Sequence, residues 1–203
     1  MIQHYSILAG PFCRLANKKL FQWYVHKSTP FTLKIASLFV NGFITVNKQS
    51  FRLNTRKNVY LFGHGINTKK YKSLGVKSST GKFKILTVGR ISPVKNIDIM
   101  VDALQEIKFN YPEYRDKFLL QIIGGPGLAS QATYMKDLEQ RVTSERLDSM
   151  IDFIGPLPQA KVLPYYQNCD LFLNLYATGS VDKVVLEAIK FEKLVLVSNE
   201  EFK

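Results

Sequence analysis

The sequence predicts an α/β protein built on doubly wound parallel sheets. Short apolar, β-branched runs alternate with stretches of helical spacing along almost the whole chain. That alternation implies a parallel sheet covered by helices on both faces. Four consecutive predicted strands also end in glycine-containing turns, which places those turns on one rim of the sheet. Composition agrees with a folded protein: 46% of residues are hydrophobic and 22% charged. A wholly disordered chain, a collagen and a disulfide scaffold are excluded. The 203 residues suit one large domain or one and a half ordinary ones, at ~150 residues each.

The elements follow in order. An apolar run from Tyr5 to Phe12 lacks a basic leader and is followed by Lys18 and Lys19. It is expected to be a helix or loop of the fold, not a signal peptide. FQWYVH (21–26) reads as a strand, and TLKIASLFV (32–40) as a helix with Leu33, Ala36 and Val40 on one face. GFITVN (42–47) and NVYLFG (58–63) are strands, and the lysine-rich, aperiodic segment 67–81 is a linker. FKILTVG (83–89) opens a cleaner series. Helix 95–108 carries Ile97, Val101 and Leu104, strand 118–124 follows Pro112, and helix 131–146 carries Met135, Leu138 and Val142. Strand 150–155, helix 158–168, strand 170–176, helix 183–192 and strand 194–198 complete the pattern. The expected domains are a remnant of an N-terminal domain (1–66), the linker (67–81) and an incomplete C-terminal domain (82–203), a fragment of a larger two-domain design.

Several chemistries are excluded. Cys13 and Cys169 lie far apart with no CxxC, which fits a reducing compartment. His4, His26 and His64 have no metal-ligand spacing, and no GxSxG, HExxH or Walker motif occurs. No run reaches the ~18–20 apolar residues of a membrane span. The 28 Lys and Arg against 16 Asp and Glu give a formal charge of +12, which favours anionic partners.

Ligands of open parallel sheets bind at the carboxyl ends of the strands. Gly89-Arg90, GGPG (124–127), Gly155-Pro156 and ATGSVDK (177–183) fall there. Arg90 and Lys95 flank a short turn at the opening of a helix. Two cations beside free helix amides make a diphosphate site. Glu187, near the start of the helix at 183–192, can accept two hydrogen bonds from a ribose diol, although an ordinary helical Glu is the simpler reading. His26 ends a strand on the same kind of rim, where a lone His is more often structural than catalytic.

These pieces together resemble group 1 (family 4) glycosyltransferases of the GT-B fold. GRISPVKN resembles the segment that opens their C-terminal domain, and IIGGPG their strand-plus-glycine turn. FIGPLPQAKVLPYYQNCDLFLNLY resembles the nucleobase loop with the helix and strand after it, and TGSVDKVVLEAIKFEKLVLVSN the signature helix. WYVHKS resembles the N-terminal strand bearing the active-site His, and FGHGIN the turn into the linker. The resemblance implies a Rossmann-like donor-binding domain after the last strands of an incomplete Rossmann-like acceptor domain. It implies transfer of a sugar from a nucleotide-diphosphate sugar to a glycan or lipid-linked acceptor, usually with retention, with no cofactor and no obligatory metal.

Residue by residue, Arg90 and Lys95 match the groups that hold the donor diphosphate. Glu187 matches the ribose ligand and Gly155 the loop near the base. His26 matches a His near the donor sugar, and Gly65 and Gly89 match the turns that border the site. The family's first Glu of the Glu–x7–Glu motif falls at Gly179, so Ser180, Asp182 and Lys183 are expected to supply polar contacts instead.

The expected location is cytoplasmic, peripheral at the inner membrane face, with a further chain supplying the missing domain. Two other readings stand beside this one. A basic nucleotide- or nucleic-acid-binding module fits the charge, but the chain lacks an aromatic stacking platform of the RRM or OB kind, which disfavours nucleic acid. An inactive partner subunit fits Gly179 and the incomplete first domain.

Overall fold

A computed structural model describes residues 3–68, 81–176 and 182–202. They form two compact units, which divide at Gly65 and Ile66. Among the described residues, no helix is long and apolar enough to cross a membrane.

The N-terminal unit begins with α1 (His4–Leu15), so the apolar start is a helix. It continues through Pro11 and ends where Asn17 takes a left-handed φ of 51°, a conformation that Asn tolerates. Strands β1 (Phe21–Trp23), β2 (Gly42–Thr45) and β3 (Asn58–Leu61) form a parallel sheet in the order β1-β2-β3, with α2 (Phe31–Phe39) between β1 and β2. Leu33 and Ala36 face inward from α2 and are fully buried. Leu33 joins Tyr24, Val40 and Phe43 in one small core. All three strands are shorter than their apolar runs. β1 stops at Trp23, and His26 retains only an isolated bridge to Phe51, because the accepting segment loops out between Ile44 O, which takes the Tyr24 N–H, and Ser50 O, which takes that of His26.

The C-terminal unit carries a five-stranded, all-parallel sheet. Its strands are β4 (Phe83–Val88), β5 (Phe118–Ile123), β6 (Ile151–Gly155), β7 (Leu171–Asn174) and β8 (Leu194–Val197), in the order β6-β5-β4-β7-β8. Helices α3 (Ile97–Asn110), α4 (Ala129–Ser144), α5 (Gln159–Asn168) and α6 (Lys183–Lys190) make the crossovers. Two cores show that the sheet is wound on both faces. On one, Val101 and Leu104 of α3 and Leu138 and Val142 of α4 pack with Leu120 and Ile122. On the other, Val162 and Tyr166 of α5 and Val185 and Ala188 of α6 pack with Leu86, Ile123 and Phe172. The period of two along β4 and β5 sends adjacent residues to opposite cores.

One local expectation is corrected. The helix after β4 does not begin at position 95. Pro93–Lys95 form a single tight turn, Asn96 takes a left-handed φ of 52°, and α3 starts at Ile97. The Tyr134 hydroxyl of α4 donates to Asp98 in the first turn of α3 at 2.9 Å. Burial first, and then the Asp98 carboxylate, push the Tyr134 phenol up to about 12. This bond and the Arg141–Asp102 ion pair at 2.6 Å fix α3 against α4.

Leu86 is fully buried at the centre of the sheet, whereas Leu194 on β8 is 66% exposed. Leu86→Ala should therefore cost about 2–5 kcal/mol of unfolding free energy in a urea titration, and Leu194→Ala less than about 1 kcal/mol. Equal losses would contradict the assignment of the core.

Candidate functional site

The strand order reverses between β4 and β7: α3 leaves β4 toward one face of the sheet and α6 leaves β7 toward the other. Such a switch point opens a crevice at the carboxyl edge. Its floor is backbone. Gly89 N donates to Ile123 O at 2.9 Å, Gly124 N to Gly155 O at 3.0 Å, and Ile91 N to Gly125 O at 2.9 Å. The three strand ends are thus tied in series. Gly89 and Gly124 have φ of +155° and +147°, and a Cβ on Gly124 would lie 1.7 Å from the Gly89 carbonyl oxygen. The close approach needs glycine. Above it lies a cavity of about 380 Å³ bordered by Gly89, Arg90, Gly124, Gly125, Pro156 and Leu157.

Arg90 is exposed at the mouth of this cavity. Its stem runs along Gly127, where a Cβ would meet Arg90 Cδ at 2.5 Å. Among the described residues Arg90 has no ion-pair partner. Lys95 lies across the switch point in a different state. Its ammonium pairs with the Asp182 carboxylate and sits 4.1 Å from the centroid of the Tyr176 ring. Asn174 Nδ2 donates to the same Asp182 oxygen at 3.2 Å, and Asn96 Nδ2 ties the turn to Leu175 O at 2.8 Å. Asp182 is the residue before α6, yet its side chain caps no helix amide because Lys95 and Asn174 hold it. Lys183, the first residue of α6, is exposed.

Glu187 sits in the second turn of α6, not the first, and is 8% exposed. Tyr166 Oη donates to its Oε2 at 3.1 Å and Gln159 Nε2 to its Oε1 at 3.0 Å. The carboxylate is thus aimed by two α5 donors and not left as a solvated helical Glu. Gly155 ends β6 with φ +82° and open space where a Cβ would be.

The structure gathers Gly89, Arg90, Lys95, Gly155, Asp182, Lys183 and Glu187 in the C-terminal unit. His26 and Gly65 belong to the N-terminal unit. His26 is exposed, donates its backbone N–H to Ser50 O at 2.9 Å, and has Nδ1 3.5 Å from Ser28 Oγ. The left-handed residue of the FGHGIN turn is Gly63, at φ +63°, rather than Gly65. Ser180, Gly179 and residues 69–80 of the linker lie outside the described residues. Asn96, Asn174 and Tyr176, which surround Lys95, were not among the residues expected from the sequence. Asn174 carried a signal, being a polar residue inside the apolar run LFLNLY. No group of three His, Cys, Asp or Glu that could hold a metal occurs among the described residues.

The family model for glycosyl transferases group 1 matches residues 73–202, which contain every element of this rim. The chain belongs to this family. A D-inositol 3-phosphate glycosyltransferase of Catenulispora acidiphila is 30% identical over 107 residues, 51% of this chain and 24% of the relative. A phosphatidylinositol N-acetylglucosaminyltransferase subunit of Arabidopsis thaliana is 24% identical over 130 residues, 64% of this chain and 27% of the relative. Anabaena HepE in complex with UDP superposes with a TM-score of 0.79 at 18% identity, covering 97% of this chain and 57% of that one. Trehalose-6-phosphate synthase OtsA gives a TM-score of 0.75 at 10% identity, covering 94% of this chain and 55% of that one. The chain thus spans under a third of these two curated relatives and just over half of these two solved structures. These structures bear out the GT-B fold expected from the sequence.

Gly124→Ala would drive a methyl group into the Gly89 backbone, whereas a Cβ on Gly125 meets only Pro156, with Cδ nearest at 3.6 Å. The first substitution should cost at least about 2–3 kcal/mol by urea denaturation and the second under about 1 kcal/mol. Similar costs would contradict the close approach.

Proposed function

We propose that the protein transfers a sugar from a nucleotide-diphosphate sugar to a glycan or lipid-linked acceptor, with retention at the anomeric carbon. One observation carries the reading: an exposed guanidinium, free of carboxylates among the described residues, stands over a glycine-floored cavity at the switch point. That position suits a diphosphate, because a planar guanidinium donates to phosphate oxygens two at a time and the glycine floor leaves room for the anion to approach. Relatives named as glycosyltransferases support it, as does a structural neighbour that holds UDP.

Each residue then has a role. Arg90 and Lys95 bind the diphosphate and stabilise the charge that develops on it as the glycosidic bond breaks. Glu187, held by Tyr166 and Gln159, accepts the ribose hydroxyls. Gly155 lets the base approach the backbone, and the resemblance of WYVHKS to the family's His-bearing strand assigns His26 to the donor sugar. The reaction takes place in the cytoplasm, at the inner face of a membrane.

Asp182 opposes the diphosphate in the absence of ligand. It neutralises Lys95, and an incoming anion must displace it. This same ion pair, with Gly179 in place of the family's Glu, favours a second reading in which the chain binds a donor without turnover as a partner subunit.

Calorimetric titration with UDP, GDP and ADP tests the donor site. One of them should bind saturably, and Arg90→Ala should weaken it roughly tenfold to a hundredfold, as expected for a charge-assisted bond of about 1.5–3 kcal/mol. No binding by a folded protein would refute the donor site. Asp182→Asn should tighten the same nucleotide about threefold to tenfold, since one like charge leaves the site. Weaker binding would instead make Asp182 a ligand of the donor.

A further inference from the structure

The charges of this chain are segregated along its length. Residues 1–97 hold 17 Lys and Arg and no Asp or Glu, and all 16 carboxylate side chains lie from Asp98 onward. Residues 1–65 therefore carry no carboxylate side chain to set against their cations. The nucleotide site does not account for them either, because residues 1–65 alone carry nine.

The same unit exposes an ordered apolar stripe. Tyr5, Leu8, Phe12 and Leu15 of α1 are spaced three, four and three residues apart, which puts them on one helix face. They are 70%, 68%, 72% and 86% exposed. The opposite face of α1 is committed: Ser6 bonds to Gln22, Arg14 to Leu38 O, and Gly10 lies against Phe39 of α2. Helix α2 repeats the arrangement. Phe31, Lys34 and Leu38 share its outer face and are exposed, while Leu33 and Ala36 point inward. Lys34 also lines a cavity of about 480 Å³ with Thr29, Ser37, Arg52 and Asn54, which presents two cations and two hydroxyls. Lys18 and Lys19 stand exposed just after α1.

A helix with an exposed apolar face, an aromatic residue at each turn or two, and uncompensated cations beside it has the make-up of an element that lies in a membrane interface. Single exposed hydrophobics are ordinary, whereas a contiguous row is not. Lys and Arg near an anionic leaflet add attraction that decays within a Debye length. Nucleic acid would satisfy the charge but not the apolar row. We infer that the α1–α2 face of the N-terminal unit docks on an anionic phospholipid surface. Tyr5, Leu8, Phe12 and Leu15 enter the acyl boundary, and Lys18, Lys19, Lys34 and Arg52 meet lipid phosphates. The inference deepens the membrane-facing part of the proposed function but does not depend on sugar transfer.

The test is co-sedimentation of the 203-residue chain with vesicles of phosphatidylcholine alone and of phosphatidylcholine mixed with phosphatidylglycerol. The mixed vesicles should bind it at least about tenfold more tightly, and added salt should erase most of the difference. Leu8→Glu/Phe12→Glu should abolish binding to both kinds. Lys18→Ala/Lys19→Ala should reduce binding to the mixed vesicles roughly tenfold and leave the weak neutral binding unchanged. All four positions are exposed, so thermal unfolding should match the parent.

Equal binding to both vesicles, or none, overturns the inference. So does a self-associating chain in sedimentation velocity that Leu8→Glu/Phe12→Glu renders monomeric while vesicles leave it unbound, because a second copy would then cover the face. Salt-sensitive binding to single-stranded DNA that competes the protein off vesicles, unaffected by Leu8→Glu/Phe12→Glu, overturns it as well. Nucleotide titration on the same samples separates the two proposals. Vesicle binding without nucleotide binding removes the donor site and leaves the membrane face standing.

Discussion

The candidate site depends on one constraint: β4 is paired with β5 on one side and β7 on the other, both in parallel. A parallel partner on each side forces the connections to leave over opposite faces. The carboxyl end of β4 is left uncovered between them. Gly89 occupies that end. The next strand can end beside it only if Gly124 has no side chain, because the two backbones nearly touch. Ile91 N–H then reaches Gly125 O, and the chain is turned so that Arg90 lies over the cavity. Sheet order, glycine and guanidinium form one causal sequence.

The two cations of the rim differ in what surrounds them. Arg90 rests on Gly127 and faces open space. Lys95 is enclosed by Asp182, Asn174 and Tyr176, and its turn is fixed by the left-handed Asn96. A partly buried ion pair of this kind is close to energetic break-even, since desolvation offsets attraction. It is therefore a contact that an arriving diphosphate can exchange without large cost. Glu187 is the contrasting case, buried and held by two donors from α5, so its orientation is set before any ligand arrives.

Much of this was legible in the sequence, for identifiable reasons. The strand–helix alternation of 83–197 was readable because buried parallel strands are continuous apolar runs and their helices have a clear period. The N-terminal strands were overestimated, since apolar residues such as Val25 and Phe62 continue past the last paired residues, Trp23 and Leu61. The start of α3 was misplaced by two residues because Asn96 in a left-handed conformation leaves no mark in an apolar pattern. Arg90 was placed on the rim by residue type and position, whereas Glu187 entered through the family resemblance, its residue type alone reading as an ordinary helical Glu. The contacts of Lys95 were not legible: Asp182 was named only as a polar residue of the rim, and it, Asn174 and Tyr176 come round Lys95 through the reversal of strand order. The doubly wound class implies a reversal, but the alternation of strands and helices does not say between which strands it falls. The apolar row on α1 was visible as a run, but its exposure depended on which face α2 covers.

The central claim is that a nucleoside diphosphate binds at the carboxyl rim of β4, β5 and β6. Backbone amide NMR during titration with UDP, or with whichever of GDP and ADP binds, tests this most directly. The claim predicts the largest shifts at Gly89, Arg90, Gly124, Gly125 and Gly155, with Lys95 and Asp182 moving as their ion pair opens. Saturable shifts confined to residues 3–65, with this rim unchanged, would contradict it.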